Sequence, residues 1–257
     1  MVRRTLTIAF MAGAHVFPGG RVDDADAVDA SWCDLPNPDA LTRYPDLGFA
    51  VTAARELFEE AGILLARYAS GQLVSLEDVE VGPRVSVMRG AIHDKKLLFN
   101  AALAADGLRL AVDLIVPFAR WVTPPNEVRR FDTWFFVARM PVGQAALHDD
   151  RESMASTWLT PAAAIAACIA GDINLPPPTW ATLRELESFP TVADVEAWAA
   201  TRSIVQRSPL LYEDAAGKEI IMPGNARHPS KEAVTFETRF VWTGQRWLPD
   251  LGVSSPA

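Results

Sequence analysis

One stretch constrains this chain more than any other: Arg55-Glu56-Leu57-Phe58-Glu59-Glu60-Ala61-Gly62-Ile63. Residues 49–61 carry helical periodicity, and Gly62 stops them. With Arg55 at zero and a helical step per residue, Glu59 falls at about 40°, Glu56 at about 100° and Glu60 at about 140°. Ala54, Leu57, Phe58, Ala61 and Leu65 fall between roughly 200° and 300°. The helix therefore has an apolar face that needs a core and an acidic face with Arg55 at its edge. Most charged faces are simply solvated, but two penalties weigh against that here. Like charges three and four apart each cost about 0.2–0.5 kcal/mol. Carboxylates in the last turn oppose the helix dipole at a cost of about 0.3–1 kcal/mol. A bound cation would offset both, and hard oxygen donors suit Mg²⁺ or Mn²⁺.

The rest of the chain reads as an α/β fold. Residues 5–17 are extended and lead to a turn at Pro18-Gly19-Gly20. Residues 23–47, rich in Asp and carrying Pro36, Pro38 and Pro45, form a loop. A second helix is expected over 83–104, with Lys95 and Lys96 exposed, then a strand over 108–116. Trp121 to Pro125 reads as a turn, Thr133 to Ala138 as a strand and 143–153 as a polar loop. Helices follow at 161–170, at 179–187 after the Pro176-Pro177-Pro178 stop, and near 191–201. Short strands occupy the chain from Ser208 onward. The expected division is a domain over 1–204 and a β-rich extension over 205–257.

Composition narrows the partners. The chain has 257 residues, 49% hydrophobic and 22% charged, enough for a full core. A net charge of −8 argues against a nucleic-acid partner. No apolar run approaches the roughly 18 residues of a membrane span. Cys33 and Cys168 lie far apart, which favours a reducing, cytoplasmic setting. The N-terminus makes a poor signal peptide.

Several side chains have two readings. Arg129 and Arg130 precede an apolar strand and could clamp phosphates, or serve as strand-end cations with Asp132 pairing one of them. Trp134, Phe135 and Phe136 alternate across a sheet, so half of them are expected in the core, and an outward one could stack on an adenine. His15 reads as a strand residue near the site rim rather than a ligand. Glu152 ends an acidic run, His148-Asp149-Asp150-Arg151-Glu152, which is either solvated or brings a base to the site.

Residues 55–63 resemble the second half of the Nudix box, Arg-Glu-apolar-any-Glu-Glu-any-Gly-apolar, at every fixed position. Gly20 and Asp26 resemble its first half, with Asp in place of the usual Glu. Between Asp26 and Arg55 stand 28 residues where the family has seven, so residues 27–47 interrupt the box. An interrupted box resembles the Nudix branch that contains the peroxisomal coenzyme A diphosphatase. Val16-Phe17-Pro18-Gly19-Gly20, Trp121-Val122-Thr123-Pro124, Arg130 to Phe136, and Glu152 ahead of Trp158 are similar to that branch as well. The likeness spans about residues 3–200. Gly13 and Phe17 to Gly20 fit the end of a coenzyme A signature, while Ala9 stands where that signature carries an arginine.

The resemblance implies a Nudix fold, a mixed β-sheet sandwiched between helices, and a metal-dependent enzyme that cleaves a pyrophosphate bond. The implied substrate is coenzyme A or an acyl-coenzyme A, giving 3′,5′-ADP and a phosphopantetheine product; ADP-ribose, NADH or a dinucleoside polyphosphate is the alternative. It implies Glu59 and Glu60 as ligands of Mg²⁺ or Mn²⁺, and Glu56 as ligand or base with Arg55 holding its carboxylate. The carbonyl of Gly19 or Gly20 would complete coordination, and Asp26 would cap or brace. Glu152 is the candidate for a separate general base. Arg129, Arg130, Phe17 and Gly19 are the substrate-binding candidates. Family members are often homodimers. A non-catalytic ligand sensor on the same fold would be expected to have lost box carboxylates, and Glu56, Glu59 and Glu60 are all present.

Overall fold

The computed structural model describes residues 1–5, 12–27, 30–34, 44, 46–127, 129–147, 153–215 and 217–252. The chain divides into two compact units, each gathered from separated segments. Met1–Thr5, Phe17–Pro117 and Phe136–Thr157 make the first; Leu6–Val16, Phe118–Phe135 and Trp158–Ala257 make the second.

The first unit contains β1 (Val2–Arg4), α1 (Leu47–Ala61), β3 (Ala66–Tyr68), α2 (Val81–His93), α3 (Phe99–Ala105), β4 (Leu108–Leu110) and β7 (Ser153–Ser156). β1 pairs antiparallel with β7, and β3 with β4. Asp46 caps α1 by accepting the Gly48 N–H at 2.7 Å. Below it the helix buries Ala50, Val51, Ala54, Phe58 and Ala61, one stripe at helical spacing. That stripe meets Val85, Met88 and Ile92 of α2 and Phe99, Ala102 and Leu103 of α3 in one core cluster. Phe58 lies 6.1 Å from Phe99 between ring centroids. Each of the larger of these side chains, fully buried, contributes about 1.5–3 kcal/mol.

Three expectations need correction. The single helix over 83–104 is two helices. Lys95 adopts φ 57°, and the N–H groups of Lys95, Lys96 and Leu97 fold back onto the carbonyls of Ile92 and Ala91, closing α2. No Gly or Pro marks this left-handed residue, so the local pattern hides it. The strand over 108–116 is β4, a 3₁₀ turn at Val112–Leu114, and the start of β5 (Val116–Val122). The buried Tyr44 hydroxyl reaches the carbonyls of Val112 and Ile115, a distant contact that fixes this turn. Trp121 and Val122 finish β5 rather than opening a turn, which comes at Pro124 with the Glu127 N–H on its carbonyl.

The second unit holds β2 (His15–Val16), most of β5 and of β6 (Asp132–Val137), α4 (Pro161–Ala170), α5 (Pro177–Leu186) and α6 (Val192–Thr201). After these come β8 (Gln206–Arg207), β9 (Leu210–Asp214), β10 (Gly217–Ile221), β11 (Arg239–Trp242) and β12 (Trp247–Pro249). The expected helix over 161–170 forms at those bounds, with Thr160 capping its start and Gly171 (φ 94°) its end. Pro176 is the N-cap of α5, and Pro177 and Pro178 open the helix, where a missing N–H costs nothing. Strands β9 to β12 form one antiparallel sheet in the order β12-β11-β10-β9. β5 sits between β6 and β8, and its pairing with β8 is parallel, so the α/β architecture mixes strand directions. Trp134, Phe135 and Phe136 do not alternate between core and surface; all three are half-buried. Among the described residues no helix is long and apolar enough to cross a membrane. Cys33 and Cys168 are both buried, and neither is in a disulfide.

Arg207 organises the second unit. Its side chain is 3% exposed, and its guanidinium bonds both carboxylate oxygens of Glu185 at 2.8 Å. It also takes Glu232 at 2.7 Å, and Trp121 and Phe236 each stand 5.3 Å from it. Burial alone would lower its pKa, but the hydrogen bonds to Glu185 and Glu232 outweigh burial and raise it. Arg207→Ala leaves two carboxylates without their cation and is expected to cost about 3–5 kcal/mol in urea unfolding. Arg207→Lys should recover only part of that loss, because an ammonium cannot serve both carboxylates as a fork.

Candidate active site

The acidic face of α1 is assembled around Arg55, which is 9% exposed. Its Nε donates to Asp26 Oδ1 at 2.9 Å. Its Nη2 donates to Asp26 Oδ2 at 2.9 Å and to the Arg21 carbonyl at 3.0 Å. Its Nη1 donates to Glu56 Oε1 at 2.8 Å and to Glu59 Oε1 at 3.0 Å. A guanidinium has five N–H groups, and all five are directed at partners within the chain. Burial opposes the charge; the hydrogen bonds to Asp26, the field of Glu56 and the bond to Glu59 overcome it, so the pKa lies above its usual value.

Asp26 is the brace that its sequence position suggested. It is 1% exposed, and Oδ2 also accepts the Asp23 N–H at 2.9 Å and lies 2.8 Å from Thr52 Oγ1. Its carboxylate completes a capping box with Asp23 around the 3₁₀ turn Asp24–Asp26. Thr52 sits one turn before Arg55 on α1, so the helix presents both partners of Asp26 side by side.

The glycine turn closes over the same face. Gly19 N–H donates to Glu60 Oε2 at 3.1 Å, and Glu60 is 7% exposed. A Cβ on Gly20 would stand 2.2 Å from Glu56 Oε1 and 2.5 Å from its carboxyl carbon. Only glycine lets the backbone pass this close to the carboxylate. Glu56, Glu59, Glu60 and Arg55 are thus brought together with Gly19 and Gly20. As they stand, Glu56 and Glu59 are turned to Arg55 and Glu60 to the Gly19 N–H. Among the described residues no three carboxylate, imidazole or thiol groups converge closely enough to hold a metal ion between them. The donor set is nevertheless hard oxygen on one helix face, with a cradle beside Glu56 that a side chain at position 20 would fill.

The remaining candidates are placed as follows. Phe17 belongs to the first unit and is half-buried. Arg129 and Arg130 belong to the second unit and are exposed. Neither pairs with Asp132, which takes Arg120 of β5 instead, at 2.8 and 2.6 Å, because a cross-strand neighbour lies closer than a sequence neighbour. That pairing lowers the Asp132 pKa through the Arg120 hydrogen bonds. His15 is a strand residue of β2, its N–H on the Asn174 carbonyl at 2.8 Å. Glu152 and Ala9 lie outside the described residues. Sequence reasoning missed Arg89 of α2, whose guanidinium reaches the Glu59 carbonyl. Nothing in the local sequence distinguishes it from a surface arginine.

A family model described as the NUDT19 Nudix domain matches residues 39–186. The chain belongs to the Nudix hydrolase family. It is similar to the acyl-coenzyme A diphosphatase NUDT19 of Homo sapiens, 27% identical over 268 residues, covering 88% of this chain and 70% of that protein. The acyl-coenzyme A diphosphatase NUDT19 of Gallus gallus is 26% identical, covering 97% of this chain and 78% of that protein. Among solved structures, a Nudix hydrolase from Alicyclobacillus acidocaldarius matches with a TM-score of 0.60 and 30% identity, over 79% of this chain and 88% of that one. The expected Nudix α/β fold and the expectation of a hydrolase both hold.

Gly20→Ala tests the close approach. The displaced group is the flexible end of Glu56, so circular dichroism should be unchanged. The Arg55–Glu56 pair must break, and hydrolase activity is expected to fall by about 10²-fold.

Proposed function

We propose that this Nudix hydrolase is a metal-dependent diphosphatase that cleaves the pyrophosphate bond of coenzyme A or an acyl-coenzyme A. The observation that carries the reading is the intact acidic face of α1, with Glu56 and Glu59 held by one guanidinium and Glu60 by the Gly19 N–H. The substrate class is supported by the likeness to acyl-coenzyme A diphosphatases over most of the chain.

In this reading Glu59 and Glu60 hold Mg²⁺ or Mn²⁺, with Glu56 as a further ligand or as base and the Gly20 carbonyl as a backbone donor. The bound ion neutralises phosphate charge and lowers the pKa of the attacking water. Arg55 has no N–H left for a phosphate, so it is a positioning residue: it fixes the rotamers of Glu56 and Glu59 against the braced Asp26. Glu152 is the proposed general base, and Arg129, Arg130, Phe17 and Gly19 are the proposed substrate contacts. Arg129 and Arg130 suit phosphates because both are exposed and Asp132 is committed elsewhere.

A second substrate reading keeps the chemistry and changes the leaving moiety, to ADP-ribose, NADH or a dinucleoside polyphosphate. It is favoured by Ala9, which removes an arginine that the coenzyme A signature carries.

The purified chain with Mg²⁺ or Mn²⁺ should release phosphopantetheine and 3′,5′-ADP from coenzyme A faster than AMP from ADP-ribose or NADH. The reverse order would establish the second reading. Glu59→Gln should lower kcat by about 10²-fold or more with the fold retained. Near-normal turnover in that variant, followed by product chromatography, would rule out Glu59 as a ligand.

A further inference from the structure

The last carbonyls of a helix lack partners within it, and in α1 they belong to the turn that carries Glu59 and Glu60. The Gly62 N–H takes the Phe58 carbonyl at 2.9 Å, and the Leu147 N–H takes the Ala61 carbonyl at 2.8 Å. The Glu59 carbonyl is taken by Arg89 of α2, from Nε at 3.0 Å and Nη2 at 2.8 Å. The same Nη2 donates to the Leu147 carbonyl at 2.9 Å, so one guanidinium joins the helix end to a second segment.

That segment is itself fastened to the first unit. Gln144 accepts the Leu64 N–H at 2.8 Å and donates to the carbonyls of Leu64 at 2.9 Å and Val74 at 2.8 Å. The Gly143 carbonyl accepts the Leu76 N–H at 2.8 Å. Residues 143–147 therefore form a strap whose far end closes on the last turn of α1. The glycine of the Nudix box has a second task here. Gly62 adopts φ 71°, and a Cβ on it would stand 2.9 Å from Arg89 Nη1 and 3.3 Å from Cζ. The motif glycine seats a guanidinium as well as ending a helix.

We propose that Arg89 is a positioning residue for the hydrolysis: it locks the backbone of Glu59, and so the Glu59 and Glu60 carboxylates, against the 143–147 strap. This rests on the reading that those carboxylates hold the divalent ion. Arg55 restrains the Glu59 side chain but not its backbone. Without Arg89, the Glu59 carbonyl loses its partner and the last turn loosens just where two ligands leave it. A purely electrostatic role would have the opposite sign. Removing a cation near a cation site strengthens binding through Coulomb's law, whereas loosening the ligands weakens it.

The test is Mn²⁺ titration of the full chain, followed by the electron paramagnetic resonance of free Mn²⁺, for wild type, Arg89→Ala and Arg89→Lys. Both variants should bind Mn²⁺ about tenfold more weakly and lose kcat more than KM, with circular dichroism unchanged. Arg89→Lys keeps the charge but not the fork, so it should not restore the site. Wild-type affinity and kcat in Arg89→Lys would overturn the proposal, as would tighter Mn²⁺ binding by Arg89→Ala. Loss of folding in both variants would make Arg89 a residue of the fold, not of the site. Wild type that neither binds Mn²⁺ nor turns over would instead remove the diphosphatase reading, and the role of Arg89 with it.

Discussion

The site depends on one buried guanidinium. Arg55 is removed from water, and a cation in that position is tolerated only when every N–H has a partner. Its five donors satisfy that condition by reaching three carboxylates and a carbonyl, which come from α1 and from the turn at residues 21–26. The requirement works in both directions. Asp26 is almost wholly buried and would be an isolated negative charge without Arg55. Glu56 and Glu59 would repel each other one turn apart. Each charge is placed by the need to compensate another, so the carboxylates of the acidic face are held by partners within the chain.

Gly20 and Gly62 act by what they lack. Gly20 lets the turn pass against Glu56, and the N–H of Gly19 reaches Glu60, so backbone and carboxylates are interleaved. Gly62 at the opposite end makes room for Arg89. The spacing that makes the motif recognisable thus records three close approaches, two of backbone to carboxylate and one of backbone to guanidinium.

Legibility in the sequence followed the range of the interaction. Helix α1 was readable over 49–61 and is observed over Leu47–Ala61, because its apolar stripe and its terminal Gly62 are local signals. Helix α4 was readable to the residue, for its Thr160 and Gly171 caps. The break between α2 and α3 was not, since Lys95 takes a left-handed conformation that no residue type announces. Asp132, which the sequence offers as a partner for Arg129 or Arg130, pairs with a cross-strand residue instead. The site was readable as a set of acids sharing an arc. The two penalties that a bound cation would offset are already met within the chain. Arg55 already offsets the repulsion, and Arg89 already meets the negative end of the helix. The pattern of the motif, more than the electrostatic penalty, carries the case for a metal.

The pair formed by Asp26 and Arg55 also bears on the interrupted motif. These residues stand 29 positions apart yet are joined by two hydrogen bonds, with Thr52 beside them. The pair therefore clamps the two ends of the intervening chain by charge and hydrogen bonding. Closing a flexible loop between fixed ends costs free energy that grows only as the logarithm of its length, about 0.6 kcal/mol for each doubling. The interruption is more than a spacer, though: Cys33 and Tyr44 are buried in the core of the first unit, and the Tyr44 hydroxyl holds the carbonyls of Val112 and Ile115. Sequence can drift there at little thermodynamic cost only as far as these anchors keep their places, while the chemistry on either side stays in register.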